Sequence, residues 1–401
     1  MKKRIFIAMH YMEIGGAEIS LIGLLQSLDY SRYDVDLFLY SHRGELMSFI
    51  PKEVNILEEV SEYTQIERPL KNVFLDGHLR IFFARLKAKY HFWRYARKKH
   101  PKDGSAILQF VANSIVHVLP NLYQLGEYDM AISFLTPHNI VFDKVKAKHK
   151  VCWIHTDYSQ IDVNVNMELP VWQCYEHIIS ISESVTKSFV DKFPILADKI
   201  VLIKNILSAE FVRRRSILIS EDEIRVEIPR MKEGFNLLSV GRFCEAKNYD
   251  NIPEICQILN NSGYRIKWYI LGYGNDKIIR KKIKEFKMEN SVIILGKRAN
   301  PYPYIRVCDI YVQPSRYEGN SVTVREAQIL GKLVVVTNYP TARNQILNGV
   351  DGIIVPMSNQ ECAKGIANFI NDVPLQNRIR EYLVKHDFGN QEEINKLYSL
   401  G

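Results

Sequence analysis

Tyr317-Glu318-Gly319-Asn320-Ser321-Val322-Thr323-Val324-Arg325-Glu326-Ala327 is the stretch on which the reading of the whole chain turns. Just upstream, Ile310-Tyr311-Val312 is a short apolar run closed by Gln313-Pro314-Ser315. Downstream the pattern is helical until Gly331, where a helix C-cap is expected. Leu333-Val334-Val335-Val336 then reads as a strand buried on both faces. The unit is therefore strand, loop, helix, strand, with Gly319-Asn320-Ser321 where loop becomes helix. A helix N-terminus presents free N–H groups and partial positive charge, so it suits an anion. Glu318 precedes that N-terminus and Glu326 lies on the second turn.

The surrounding half repeats the pattern. Asn236-Leu237-Leu238-Ser239-Val240, Lys267 to Leu271, Val292 to Leu295 and Gly352 to Val355 read as further strands, giving a sheet of about six. Their ends carry glycines and polar residues: Gly241-Arg242, Gly272-Tyr273-Gly274 and Gly296-Lys297-Arg298. Arg242 and Lys247 are two cations beyond one strand end, Arg able to fork onto phosphate oxygens and Lys a point charge. Either alone reads as a surface residue; their shared position favours a site. Two carboxylates near an anion site fit a nucleotide sugar, whose hydroxyls donate hydrogen bonds.

The first half also alternates strands and helices. Arg4 to Met9 is a strand, followed by Gly15-Gly16 at the start of a helix. The glycine pair allows close backbone approach to a ligand, but it is not the Gly-x-Gly-x-x-Gly dinucleotide pattern. Later strands are Val35 to Leu39, Met130 to Phe134, Val151 to Ile154, His177 to Ile181 and Ile200 to Ile203. Such alternation implies α/β domains with doubly wound parallel sheets, and ligands beyond the carboxyl ends of the strands. Gly15-Gly16, His155-Thr156-Asp157 and Ser182-Glu183-Ser184 fall there. Asp34-Val35-Asp36 has the spacing of a metal-holding Asp-x-Asp, but it enters a strand and reads as an edge pair. The expected division is 1–205, a hinge region at 206–234 with charge clusters and no sheet pattern, and 235–390. A polar C-terminal helix over 391–401 can pack back on the first domain.

With 401 residues, two domains are the natural expectation. An apolar fraction of 47% with 24% charged residues is that of a globular chain. The six cysteines are scattered without a Cys-x-x-Cys pair, so buried reduced thiols are expected rather than disulfides or zinc. No run approaches the roughly 18 apolar residues of a membrane span, and the N-terminus lacks a signal-peptide core. A cytoplasmic location is expected. The net charge of +8 is concentrated: residues 68–102 hold eleven Lys or Arg and one acid, Asp76, a local balance of +10. The same segment is aromatic, with Phe74, Phe82, Phe83, Tyr90, Phe92, Trp93 and Tyr95. This suits docking on an anionic membrane surface, peripheral on the inner face, against a solvated helix pair with core aromatics. The locality of the charge and the lack of any nucleic-acid motif set nucleic acid aside.

Glu318 through Glu326 is a Glu-x7-Glu element, and Gly241-Arg242-Phe243 with Lys247 is a Gly-Arg…Lys element after the first strand of the second half. Together they resemble the family 4 (GT4) retaining glycosyltransferases of bacterial surface and capsular polysaccharide synthesis. The resemblance is strong over 235–356. In the first half it rests on Gly15-Gly16 and Trp153-Ile154-His155-Thr156-Asp157. It implies a GT-B fold, two doubly wound Rossmann-like domains facing a cleft. It implies transfer of a hexose or N-acetylhexosamine from a nucleotide diphosphate sugar, UDP-linked, to a glycan or lipid-linked glycan, with no cofactor and no metal. Arg242 and Lys247 would hold the diphosphate, shared with backbone N–H groups at Asn320, Ser321 and Val322 beside Gly319. Glu326 would accept from the ribose, Glu318 would meet the sugar, and Gly296-Lys297-Arg298 would lie along the base. His155 would sit near the transferred sugar, and Gly15-Gly16 near the donor. Many relatives have Glu-Gly-Phe-Gly where this chain has Glu318-Gly319-Asn320-Ser321. Two other readings use the same fold: a non-catalytic nucleotide-sugar binding protein, and a phosphorylase- or epimerase-like enzyme.

Overall fold

The computed structural model describes residues 2–101, 104–318 and 321–401. It divides into two compact units, Met1–Leu207 with Gln391–Gly401, and Ser208–Asn390.

The first unit is built on a seven-stranded sheet of β1 (Lys3–Met9), β2 (Tyr33–Leu39), β3 (Asn55–Ile56), β4 (Glu127–Ser133), β5 (Lys146–Ile154), β6 (His177–Ser180) and β7 (Ile200–Leu202). Its order is β3-β2-β1-β4-β5-β6-β7, and every pairing is parallel. Parallel strands need crossovers, so both faces are covered and the strands read as apolar runs. Ile5 to Met9 are all buried, as are Val151 to Ile154. Edge strand β3 is two residues long, too short to leave a sequence pattern.

The second unit has six parallel strands: β8 (Phe235–Val240), β9 (Ile266–Leu271), β10 (Val292–Gly296), β11 (Ile310–Gln313), β12 (Leu333–Thr337) and β13 (Ile353–Val355). Their order is β10-β9-β8-β11-β12-β13. The helix Val322–Ile329 joins β11 to β12 and ends at Gly331, whose φ of 66° closes it as expected. One core runs beneath this sheet through Leu237, Trp268, Ile310, Val335, Ile366 and Phe369. In each sheet the strand order reverses once, between β1 and β4 and between β8 and β11. The crevice at such a reversal is where doubly wound sheets take ligands.

The segment read as a hinge is structured. Helices Ala209–Ser216 and Glu221–Glu227 are capped by Ser208 and Ser220 hydroxyls accepting from Phe211 and Glu223 N–H. Both belong to the second unit, where Val212, Ile224 and Ile228 are buried and Phe211 meets the Tyr302 ring edge-on. Their charged outer faces and short apolar sides hide the period from the sequence. Residues Gln391–Gly401 return to the first unit. There Ile394 and Leu397 are buried, Tyr398 stacks on Tyr33 at 4.8 Å, and its hydroxyl accepts from the Asp29 N–H at 2.8 Å.

Among the six cysteines, all free, Cys152, Cys256, Cys308 and Cys362 are buried, whereas Cys174 and Cys244 are exposed. Asp34 and Asp36 are held by neighbours: Lys2 pairs with Asp34, while Arg4, Tyr128 and Asn55 all donate to Asp36. Among the described residues no helix is long and apolar enough to cross a membrane.

Candidate functional site

The loops leaving β8 and β11 lie side by side at the reversal of the second sheet, and they are stitched together. Asn248, held at a φ of 59°, donates from Nδ2 to the Pro314 carbonyl at 2.9 Å. The Arg316 N–H donates to the Ala246 carbonyl, and its guanidinium forks onto both Asp250 oxygens at 3.0 and 2.9 Å. Two loops distant in sequence thus form one rigid floor. Gly272 makes the packing possible: a Cβ there would lie 1.9 Å from the Gly241 carbonyl oxygen. Only the missing side chain lets the β9 end approach the loop that carries Arg242.

On this floor the structure brings Lys247 and Glu318 together, with Nζ 2.7 Å from Oε1 and both side chains largely buried. The same oxygen accepts from Gln313 Nε2 at 3.0 Å and from the Ser315 hydroxyl at 2.6 Å. Thr341 donates to the Glu318 carbonyl. Oε1 is therefore saturated, while Oε2 has no donor among the described residues. Arg242 lies two residues beyond the end of β8. It is exposed, and its guanidinium has no ion-pair partner among the described residues. One cation is thus held in place beside a carboxylate and another is left open to a ligand.

Glu326 sits apart from this pair, buried inside the helix Val322–Ile329 and accepting from the Tyr302 hydroxyl at 2.9 Å. Burial raises its carboxyl to about 7, against the lowering pull of the Tyr302 hydrogen bond. Between the two acids lies Tyr311, whose hydroxyl bonds Gln313 and Thr323. Burial raises that phenol, and both Glu326 and Glu318 push it further.

Among the remaining expected donor residues, the Ser321 N–H and the Arg298 guanidinium already have partners within the second unit. The Ser321 N–H, expected to face a phosphate, donates to Gln345 Oε1 at 3.1 Å, and Gln345 Nε2 returns a bond to the Ser321 carbonyl. Val322 opens the helix behind it. Gly319 and Asn320 lie outside the described residues. Gly296 ends β10 at a φ of 79° with open space beside it. Arg298 is held by Glu227 at 2.6 Å and by the Tyr304 hydroxyl at 2.9 Å, and Lys297 lies over the Tyr273 ring. No local signal marks Glu227, because the seven-residue helix Glu221–Glu227 is too short to show an apolar period.

In the first unit, Gly15 caps the helix Gly16–Ser27, but the Glu18 carboxylate folds back to it, so a Cβ on Gly15 would meet Glu18 Oε2 at 2.2 Å. That helix end already holds an anion of its own. Burial raises the Glu18 carboxyl. His155, after β5, packs its ring against Phe134 at 4.6 Å. Burial lowers its pKa to about 3, with a backbone hydrogen bond to Phe134 opposing, and its Nε2 is buried without a partner among the described residues. The imidazole is therefore neutral at pH 7 and leaves one nitrogen free to accept a hydrogen bond.

Two further histidines were not singled out from the sequence. His138 Nδ1 bonds the Ser133 hydroxyl at 2.7 Å, and His10 Nδ1 lies 2.6 Å from Glu67 Oε1. Nε2 of each is buried and unpartnered among the described residues. Burial lowers His138 to about 3. Although burial pushes the Glu67 carboxyl up, the His10 hydrogen bond and the charges of His10 and Arg43 hold it below the usual range. His10 and Glu67 line a cavity of about 280 Å³ with Tyr11, Tyr40, Arg43 and Arg68. Glu67 lies 57 residues from His10, so no local motif could have joined them. No group of three or more His, Cys, Asp or Glu among the described residues is placed to hold a metal ion.

Comparison with known proteins adds to this geometry. The family model of glycosyl transferases group 1 matches residues 220–386, nearly all of the second unit. The chain is 24% identical over 243 residues to the capsular polysaccharide biosynthesis glycosyltransferase CapM of Staphylococcus aureus, covering 58% of this chain and 64% of that one. It is 25% identical over 203 residues to an N-acetylgalactosaminyltransferase of Campylobacter jejuni that acts on an undecaprenyl-diphosphate-linked sugar, covering 50% of this chain and 52% of the relative. These matches thus span between about half and two thirds of the relatives' lengths. Among solved structures, Anabaena HepE in complex with UDP and glucose superposes with a TM-score of 0.69 at 14% identity, over 99% of this chain and 98% of that one.

Proposed function

Because the chain has the GT-B fold and its second unit belongs to the glycosyl transferases group 1, we propose that it is a retaining, metal-independent glycosyltransferase of surface polysaccharide synthesis. Its donor is a UDP-linked hexose or N-acetylhexosamine and its acceptor a glycan or lipid-linked glycan. The observation that carries this reading is the pairing of Lys247 with Glu318 on a loop floor that leaves Arg242 open. A UDP complex of a similarly folded protein and relatives named for capsule and lipid-linked glycan transfer support the choice of donor and acceptor.

Cleavage of the sugar–phosphate bond leaves a diphosphate with extra negative charge. Arg242 and Lys247 meet that charge, and Glu318 Oε2 accepts from a sugar hydroxyl. Cations fixed before reaction stabilise the leaving group without reorganising. Glu326 accepts from the ribose. His155 Nε2, without a hydrogen-bond partner among the described residues, accepts from a hydroxyl of the transferred sugar. The leaving phosphate takes the acceptor proton as attack occurs on the same face.

The test is a thermal-shift panel of UDP-, GDP- and ADP-sugars, followed by turnover of the donor that binds, with chelator present. A UDP-sugar raises the midpoint, and turnover is unaffected by chelator. Arg242→Ala, which removes no side-chain ion pair among the described residues, lowers kcat/KM by the equivalent of about 2–4 kcal/mol, typical of losing a charge-stabilising donor. Absence of a shift with every nucleotide sugar overturns the reading, as does a strict manganese requirement for the metal-independent step.

A further inference from the structure

The helix Leu79–Lys99 has two unlike apolar sides. One packs inward: Ile81 and Ala88 are buried, and Phe92 and Tyr95 lie against Phe110 at 5.8 and 5.4 Å. The other is exposed. Leu79, Phe83, Leu86, Tyr90 and Trp93 are 47%, 63%, 39%, 54% and 48% accessible. They recur at steps of four, three, four and three, so they form one stripe along a 21-residue helix about 30 Å long. Phe74 and Leu75, at 51% and 67%, extend the exposed apolar surface from the preceding helix Leu70–Leu75. A continuous patch of large apolar side chains on an otherwise polar surface marks an interaction site.

Charge selects the occupant. Lys71, Arg80, Lys87, Lys89, Arg94, Arg97, Lys98 and Lys99 are exposed, and none has an ion-pair partner among the described residues. Arg80, Lys87 and Arg94 repeat every seven residues and so flank the stripe along its length. Arg97 lies 3.9 Å over the Trp93 ring, placing a cation at the edge of the apolar surface. A second copy of the chain would bring two such cationic rows together. A nucleic acid would match the charge but not the aliphatic and phenyl groups between the rows. An anionic bilayer matches both, with headgroups for the cations and acyl chains for the stripe.

We propose that this face docks the protein on an anionic phospholipid surface, with Leu79, Phe83, Leu86, Tyr90 and Trp93 inserted and Arg80, Lys87, Arg94 and Arg97 on the headgroups. The proposal does not rest on the donor reading. It differs from a purely electrostatic tether, because the stripe must enter the acyl region.

Trp93 provides the probe. Of the four tryptophans, Trp153, Trp172 and Trp268 are buried, so a change in emission on docking comes from Trp93. The full chain is mixed with vesicles of phosphatidylcholine containing about 30% phosphatidylglycerol, and separately with phosphatidylcholine alone. Expected are sedimentation with the anionic vesicles, a blue shift of tryptophan emission, and weaker binding at high salt. Phe83→Ser with Leu86→Ser lowers the bound fraction at least tenfold without moving the thermal midpoint, since both side chains are exposed. Lys87→Gln with Arg94→Gln also weakens binding and removes most of its salt dependence. Equal binding to the two vesicles, binding without a blue shift, or unchanged binding by the serine variant overturns the proposal. So does a dimer of the wild type that the serine variant converts to monomer, since that assigns the face to a second copy.

Discussion

Glu326 illustrates how much one buried carboxyl controls. Its hydrogen bond from Tyr302 offsets only part of the cost of burial, so its pKa stands near 7 against an ordinary 4.5. A raised acid binds more protons folded than unfolded between those values, so its contribution is full below pH 4.5 and is lost as pH rises toward 7. The shift corresponds to about 3 kcal/mol. Glu168 in the first unit is raised to about 7 in the same way, so the wild type alone does not separate the two. Glu326→Gln does. Its stability relative to the wild type is expected to rise by up to about 3 kcal/mol between pH 4.5 and 7 and then level off, in denaturant titrations at each pH. A pH-independent difference would mean that Glu326 ionises freely in the fold. Residue types at this scale were readable in the sequence; their partners were not. Glu318 and Lys247 were both candidates, yet their 2.7 Å pairing, with Gln313 and Ser315 on the same oxygen, required the fold.

Apart from the two-residue β3, the strands and the helix Val322–Ile329 were legible as elements because apolar runs and the Gly331 stop are local signals. What the loops between them do was not. The β8 loop is held against β9 and β11 by Gly272 and by the Asn248 and Arg316 bonds. Gly272→Ala is expected to cost about 1–3 kcal/mol, because its methyl meets backbone that cannot rotate aside. It should also weaken nucleotide-sugar binding by displacing Gly241 and Arg242. Gly16→Ala, where an added Cβ meets nothing within 4 Å, is expected to stay within about 0.5 kcal/mol. Comparing both thermal midpoints with donor titrations checks this; a silent Gly272→Ala would show that the loop has slack. The helices Ala209–Ser216 and Glu221–Glu227 are the counterexample to local legibility. Each is too short for a period to emerge, and their capping serines are ordinary residues until the turn forms.

Across the whole molecule, chain order and spatial order diverge at the end. The last eleven residues, Gln391–Gly401, pack on the first unit after the second sheet is complete. Ile394 and Leu397 are buried there, and burying two such side chains contributes roughly 3–6 kcal/mol. Removing 391–401 is therefore expected to lower the unfolding midpoint of the first unit while sparing the second, as hydrogen exchange mapped to each unit would report. Equal loss of protection in both would instead mean that the segment supports the molecule as a whole. Two parallel-sheet units follow from the residue order, because strands buried on both faces must be continuous apolar runs separated by crossovers. The same order puts Glu318, Arg242 and Lys247 after strand ends, since polar residues interrupting those runs have nowhere else to go. Tertiary structure alone decided that the Ser321 amide and Arg298 are already held, that His10 faces Glu67, and that Phe92 and Tyr95 belong to the core while Phe83 and Trp93 face outward. Those choices depend on which distant segments pack together, and a side chain's partner across 57 residues leaves no trace in its own neighbourhood.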